Sequence, residues 1–292
     1  MNLRNFFLLV FFVFFLTIFN FKNFNHAYAI DTFSSSTPLK NIINKNDTTD
    51  FKDIKFIKNE KKKTRDGRLY GADIYPPKKF IQTFSVFKAR FHSSGDIYIW
   101  VNSEFKSTKK IADLALKYSK MLGQTPHYFR SNKVYQLKWI VIHGPWVDKS
   151  KCTCAWYAIA GKGIYIHDEM IREQEQQEIL IHELSHVSID KQLDLLFVDE
   201  VYANSKAGQD SYKPVWSDAM KKDASYISGY AEKKRFKEDI AESAVAWVAV
   251  RCKKDRISKS VYEWVIKTIP NRLKVLDDLM LNQNMRPLTC KK

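Results

Sequence analysis

The sequence predicts an α+β domain in which a mixed sheet subdomain is followed by a helical C-terminal subdomain. Strand-like runs of β-branched and aromatic residues, separated by turn signals, precede residue 168. A helical pattern without Gly or Pro extends from residue 170 to residue 196, and further helical patterns follow it. Residues 70–292 provide enough chain for one domain with a good hydrophobic core.

The elements before the long helix are expected in the following order. Apolar patterning predicts strands at Thr83–Phe91 and Asp96–Val101, and a 3.6-residue period predicts a helix at Ser107–Leu122. Another strand is expected at Val134–His143. A hairpin at residues 156–167, with Gly161-Lys-Gly163 at its turn, leads into the long helix.

The long helix contains two histidines four residues apart, in the sequence His182-Glu-Leu-Ser-His186. Residues at this spacing share a helix face, so both imidazoles can reach one metal ion. Glu183 lies near the same site and can polarise a water bound to that ion, which is the pattern of a zinc hydrolase. Histidines that face solvent or pack on a neighbour are the alternative. An adjacent apolar stripe, however, predicts a buried helix, and buried polar groups need partners.

A hydrolytic zinc site needs a third protein ligand. Gln192 stands where the third histidine of the extended motif would be, and no histidine follows His186. A carboxylate from another helix is therefore expected, and Glu238 and Glu242 share one face of a helical pattern at residues 236–250. One could bind zinc and the other could accept the second N–H of a ligand histidine. A solvated pair of acids in the first turns of a helix is an equally good interpretation.

Three segments together resemble the catalytic domain of the anthrax lethal-factor-like zinc metallopeptidases. They are His182-Glu-Leu-Ser-His186, Ile227-Ser-Gly-Tyr-Ala231 and Glu238-Asp-Ile-Ala-Glu242. That group includes secreted Pro-Pro endopeptidases and belongs to the zincins with a glutamate third ligand, the gluzincins. The resemblance implies a zincin-like domain, with the active-site helix carrying the H-E-x-x-H motif, and an endopeptidase that uses one zinc ion per chain.

The resemblance also implies a role for each matching residue. The zinc ligands would be His182, His186 and Glu238, with Glu183 as general base, Glu242 as hydrogen-bond partner of a ligand histidine and Tyr230 as the phenol that stabilises the oxyanion. Ser185 stands where the family has Gly, and Ile240 where it has an aromatic residue. The gap between Tyr230 and Glu238 is one residue longer than in the family, so Tyr226 is the alternative oxyanion residue.

The expected substrate is a protein or peptide bound in extended form along an edge strand of the hairpin at residues 156–167. A plain core hairpin is the alternative. Two other functions remain open from the sequence: an exported zinc amidase that acts on cell-wall peptides, and a catalytically idle secreted binding protein or toxin subunit. The intact Glu183 argues against the idle protein, because a scaffold does not need this side chain.

The N-terminal residues predict export. The apolar stretch Phe6–Phe21 follows Arg4 and precedes Ala27-Tyr-Ala29, an A-x-A cleavage site, so residues 1–29 are interpreted as a signal peptide. This places the protein in a secreted or periplasmic location, with an uncleaved membrane anchor as the alternative. Residues 30–69 are polar and are interpreted as a tether or propeptide without a core of its own, ahead of the catalytic domain at 70–292.

The cysteines agree with an oxidising compartment. The chain contains Cys152, Cys154, Cys252 and Cys290. A bond between Cys152 and Cys154 is disfavoured, because in an extended segment their Cα atoms are roughly 6.5–7 Å apart. Each is therefore expected to pair with Cys252 or Cys290. A C-x-C metal site is the alternative.

The formal net charge is +16 at pH 7. No basic helix with interleaved aromatic residues is present in the sequence, so we expect no nucleic-acid partner. A weak attraction to an anionic cell surface is consistent with the charge.

Overall fold

A computed structural model of the chain describes residues 39, 41–64, 80–105, 107–132, 135–142, 156–159, 163–166, 168, 176–192, 214–234 and 237–280. The predicted signal peptide and three of the cysteines, Cys152, Cys154 and Cys290, lie outside the described residues.

Six strands of the described chain form one mixed sheet. In all, eight strands are described: β1 (Phe51–Thr64), β2 (Phe80–Phe91), β3 (Ile97–Asn102), β4 (Ser131–Asn132), β5 (Tyr135–Gln136), β6 (Trp139–Ile142), β7 (Trp156–Ile159) and β8 (Gly163–Ile166). The order in the sheet is β1-β2-β3-β6-β8-β7, and β4 pairs with β5 separately. Strands β3, β6 and β8 run parallel to one another, whereas β1–β2, β2–β3 and β7–β8 are antiparallel pairs.

The helices lie mainly after the sheet. They are α1 (Thr108–Gln124), α2 (His127–Arg130), α3 (Gln176–Gln192), α4 (Pro214–Asp223), α5 (Gly229–Lys234), α6 (Lys237–Cys252), α7 (Lys259–Thr268) and α8 (Pro270–Met280). Ser107 caps α1 by accepting a hydrogen bond from Lys110 N–H at 3.1 Å, so the helix begins where the sequence predicts it. None of the described helices combines the length and the apolar character that crossing a bilayer requires.

The main core lies between one face of the sheet and helices α1 and α3. Alternate residues of the central strands point to this face, and they are fully buried: Ile97, Ile99, Val101, Ile140, Ile142, Ile164 and Ile166. Helix α1 contacts β1–β3, and α3 contacts β7 and β8. Helix α3, which carries the two histidines, thus packs against the side of the sheet that the β7–β8 hairpin forms.

The α+β class is confirmed, and most elements lie where the sequence predicts them. The strand expected at Val134–His143 is divided into β5 and β6, because its first half pairs with β4 and its second half with β3. The predicted hairpin is present as β7 and β8, with Ile159 opposite Gly163. A Cβ at Gly163 would lie 2.4 Å from the backbone oxygen of Trp139, so only glycine allows β8 to approach β6 here.

The interpretation of residues 30–69 as a segment without a core of its own is wrong for the part that the structure describes. Strand β1 pairs with β2 along residues 51–64, and the side chains of Leu39, Ile42 and Ile43 belong to the main hydrophobic core. Strand β1 is at the edge of the sheet, where charged residues, especially lysines, protect against further pairing. Its lysines therefore reflect an edge position, and the folded domain begins well before residue 70.

Candidate metal centre

Helix α3 is largely buried over residues 176–189. Residues 180–189 are all buried, including His182, His186 and Glu183, which is 8 % exposed. The buried hydroxyl of Ser185 donates to the Ile181 carbonyl at 2.8 Å, one turn back along the helix. The serine that replaces the family's glycine is thus accommodated with its hydrogen bond satisfied.

Helix α6 packs against α3 and is buried from Asp239 to Val250. Glu238 and Glu242 lie one turn apart near its start, and the side chain of Glu238 is 12 % exposed. Because a helix that is apolar on every side must lie in the interior, α6 carries these carboxylates into the core. The structure therefore does not show Glu238 and Glu242 as a solvated pair of acids, the alternative that the sequence left open.

Three side chains from the two helices converge on one point. His182 Nε2 lies 3.0 Å from Glu238 Oε2, and His186 Nε2 lies 3.3 Å from the same oxygen. A tetrahedral zinc ion with ligands at about 2.0–2.1 Å holds any two ligand atoms about 3.3 Å apart. Glu238 Oε2 therefore lies at nearly this spacing from each histidine nitrogen, and ligand atoms of the three residues all lie within 4.8 Å of one another.

The hydrogen bond on the other side of His182 fixes its tautomer. His182 Nδ1 lies 3.0 Å from Glu242 Oε1, and a carboxylate only accepts, so Nδ1 is assigned the proton. In the neutral imidazole Nε2 then presents a lone pair toward Glu238 Oε2, which is another acceptor. Two acceptors 3.0 Å apart need a proton or a cation between them. Because His186 Nε2 converges on the same oxygen, one cation can serve all three atoms.

The electrostatics of the cluster agree with this geometry. Burial lowers the pKa of His182, but Glu238 and Glu242 outweigh it and raise that pKa well above its ordinary value. Burial raises the pKa of Glu238, yet His186 and His182 hold it well below its ordinary value. Two carboxylates with two neutral imidazoles carry two negative charges, which a divalent cation neutralises.

The two tyrosines considered for the oxyanion role occupy different environments. The ring of Tyr230, on α5, lies 6.3 Å from the ring of His182, centroid to centroid. The ring of Tyr226 instead lies under the guanidinium of Arg272, at 5.3 Å. Tyr230 therefore adjoins the histidine and glutamate cluster, and the longer spacing before Glu238 does not move it away.

A second buried cluster lies beside the first and was missed by the sequence reasoning. Asp239 accepts hydrogen bonds from Arg272 at 2.7 Å and from the Trp216 indole at 3.1 Å. Arg272 also pairs with Asp223 at 3.3 Å, and all three charged side chains have no solvent exposure. The available signal was weak: an aspartate next to Glu238, at the start of a helix that is apolar from Ala244 to Val250.

One cysteine falls within the described residues. Cys252, at the end of α6, is disulfide-bonded, and the three other cysteines of the chain lie outside the described residues. The pairing stays a prediction.

Comparison with known proteins gave no match: neither a family model, nor a curated protein, nor a solved structure matches this chain. The family resemblance therefore depends on the motif residues and on the geometry described above.

Proposed function

We propose that this chain is an exported zinc-dependent endopeptidase with a zincin-like fold and a glutamate third ligand. One observation carries the proposal: His182 Nε2 and His186 Nε2, from one buried helix, meet one carboxylate oxygen of Glu238 from a second buried helix. Two imidazoles and a carboxylate are a ligand set of catalytic zinc sites, which keep the fourth position for water or substrate.

The residues present fit zinc. Glu242, 1 % exposed, would orient the His182 ligand as an outer partner. When bound, zinc lowers the pKa of a coordinated water toward neutrality and polarises the carbonyl of the substrate. The donor set is His182, His186 and Glu238, one site per chain.

Glu183 is the proposed general base. It follows His182 on the helix and is nearly buried, so its carboxylate is shielded from bulk water. In peptide hydrolysis it would take a proton from the attacking water and pass it to the leaving amine. The phenol of Tyr230 would donate a hydrogen bond to the oxygen that becomes negative in the transition state.

The proposed substrate is an extended peptide paired with β7. This strand is at the edge of the described sheet, and α3 packs against it. A peptide added at this edge would run beside the helix that carries the metal ligands. Export rests on the signal peptide predicted for residues 1–29. No nucleic-acid partner is proposed, because the sequence has no basic helix with interleaved aromatic residues.

Metal analysis and cleavage assays on a purified protein of residues 30–292 test the proposal directly. Metal analysis should find about one zinc per chain, as a single three-ligand site requires. Cleavage of a peptide library should stop on chelation and in Glu183→Gln, which keeps the shape of the side chain, while zinc remains bound to that variant. Glu263→Gln is the matched control, because Glu263 is exposed on α7 and forms only a surface pair with Lys259.

Retained cleavage in Glu183→Gln would refute the assigned base. A protein that binds no zinc at any stage would refute the metal centre itself. If zinc binds but only cell-wall peptides are cleaved, the activity is the amidase alternative.

A further inference from the structure

An N-terminal segment joins the two helices that carry the metal ligands. We call the stretch from Leu39 to Asp50 the strap, of which residue 40 alone is not described. The side chains of Leu39, Ile42 and Ile43 are buried in the core. Hydrogen bonds and ion pairs connect the described part of the strap to α1, α3 and the end of α6.

The strap contacts α3 one turn before the first histidine. The backbone N–H of Ile42 donates to Glu178 Oε1 at 2.9 Å, and Glu178 is 1 % exposed. Glu178 and His182 are four residues apart, so they lie on the same face of α3. The hydrogen bond therefore fixes the first turn of the helix directly behind the metal centre.

The strap also holds the other end of α6. Asp47 forms a 2.7 Å hydrogen bond with Arg256 and a 3.0 Å ion pair with Lys253, both just beyond the helix. Arg256 additionally donates to the Ile42 carbonyl at 3.2 Å. Ile42 thus joins α3 through its N–H and the end of α6 through its carbonyl.

The strap lies against the C-terminal end of α1, in close contact at Gly123. The Asp50 N–H donates to the Gly123 carbonyl at 2.9 Å. A Cβ at Gly123 would lie 2.2 Å from Thr49 Oγ1 and 2.5 Å from Phe51 N. Gln124 donates from its amide to the carbonyls of Asn44 at 3.0 Å and Asp47 at 3.2 Å.

We propose that the strap is a permanent positioning element of the metal centre, and that the working enzyme keeps it, so that any N-terminal processing ends before Leu39. The proposal rests on the proposed function. Lys253 and Glu238 are 15 positions apart on or beside one rigid helix, about 22 Å at 1.5 Å per residue. A small shift at the strapped end is therefore transmitted to Glu238, while α3 is held at Glu178.

Amino-terminal sequencing of the exported, zinc-loaded chain tests the processing claim. The expected first residue lies before Leu39. An active chain that begins after Asp50 would overturn the proposal, because it would work without the strap.

Point variants test the positioning claim in the chain of residues 30–292. Asp47→Asn keeps the size of the side chain but removes the charge that holds Lys253 and Arg256. We expect zinc affinity, measured by chelator competition on folded protein, to weaken by roughly 2- to 30-fold. A fall in kcat with little change in KM should accompany it. Asp113→Asn is the control, since Asp113 is 58 % exposed and pairs only with Lys109 on the surface.

Gly123→Ala is the second variant, and it displaces the strap by sterics alone. It should produce the same zinc and kcat changes as Asp47→Asn. Wild-type zinc affinity and kcat in both folded variants would overturn the strap proposal while leaving the endopeptidase proposal intact. A parent chain with neither zinc nor cleavage would refute both proposals.

Discussion

Glu238 and Asp239 are consecutive residues of α6, both largely buried, yet their pKa values shift in opposite directions. Burial raises the pKa of Asp239 to about 7, with Asp223 and Glu242 adding to the shift and Arg272 opposing it. The pKa of Glu238 is held well below its ordinary value, because the two histidines outweigh its burial. Neighbouring helix residues point about 100° apart, so each carboxylate enters a different cluster.

The difference lies in the cation that each cluster contains. Arg272 is charged at all relevant pH values, so the Asp239 cluster contains a permanent cation supplied by the protein. The partners of Glu238 are imidazoles, which carry charge only when protonated. The Asp239 cluster therefore stabilises the fold, whereas the Glu238 cluster needs a proton or a metal ion, and this difference can be tested by mutation.

Glu238→Ala should have the largest effect on the metal centre. It removes one of three protein ligands, so zinc content should fall from about one per chain to near zero after dialysis. The free energy of unfolding measured in chelator at neutral pH should fall, because the lowered pKa of Glu238 means that its carboxylate is favourably paired with the two histidines in the folded protein. Asp239→Asn is the neighbouring control and should retain zinc. If Asp239→Asn lost zinc and Glu238→Ala kept it, the metal would bind at the Asp239 cluster and not at the Glu238 cluster.

Arg272→Met should have the largest effect on the fold. The change leaves Asp223 and Asp239 buried without their counter-charge, which costs about 3–5 kcal/mol of unfolding free energy. Urea denaturation in the presence of chelator measures this without a contribution from metal binding. Zinc per folded chain should stay near one. A loss of less than about 1 kcal/mol, the range of an exposed pair, would show that the second cluster is not structural.

Glu242→Gln should have an intermediate effect. Its amide can still accept a hydrogen bond from His182 through oxygen, but the negative charge is lost. Zinc affinity should fall by about 10- to 100-fold, the usual effect of changing an outer partner of a ligand histidine. Competition with a chromogenic chelator gives the value. A larger loss than in Glu238→Ala would make Glu242 the ligand and Glu238 the outer partner.

Arg251→Gln should have the smallest effect. Arg251 pairs with Asp277 at 2.8 Å, with side chains 28 % and 25 % exposed, so water screens this pair. We expect about 0–1 kcal/mol loss of unfolding free energy, measured by urea denaturation. If Arg251→Gln lost as much unfolding free energy as Arg272→Met, the difference in burial between the two arginines would not explain their contributions to stability.

The sequence predicted the α+β class, the hairpin and α1 because each has a local signal. Apolar periodicity defines the elements, and Ser107 marks the start of α1. It also predicted that α3 is buried, since apolar residues surround the two histidines. These features depend on neighbours a few positions apart, which a single sequence displays.

The strap and the Arg272 cluster have no such signal. Arg272 and Asp239 are 33 positions apart, and Arg256 and Asp47 are 209 apart. A lysine-rich strand at a sheet edge resembles an unfolded polar segment in composition, which is why the domain boundary was placed too late. Which tyrosine lies near His182, Tyr230 or Tyr226, likewise depends on how the chain folds between α4 and α6.

The contact between Asp47 and Arg256 also limits the order in which the chain can fold during synthesis. A pairing across 209 positions cannot close until the C-terminal helices have left the ribosome. The growing chain carries His182 and His186 before it carries Glu238, and it acquires the partner of Asp47 later still. Under the export proposed above, the cluster of His182, His186 and Glu238 would therefore assemble only after the chain has crossed the membrane.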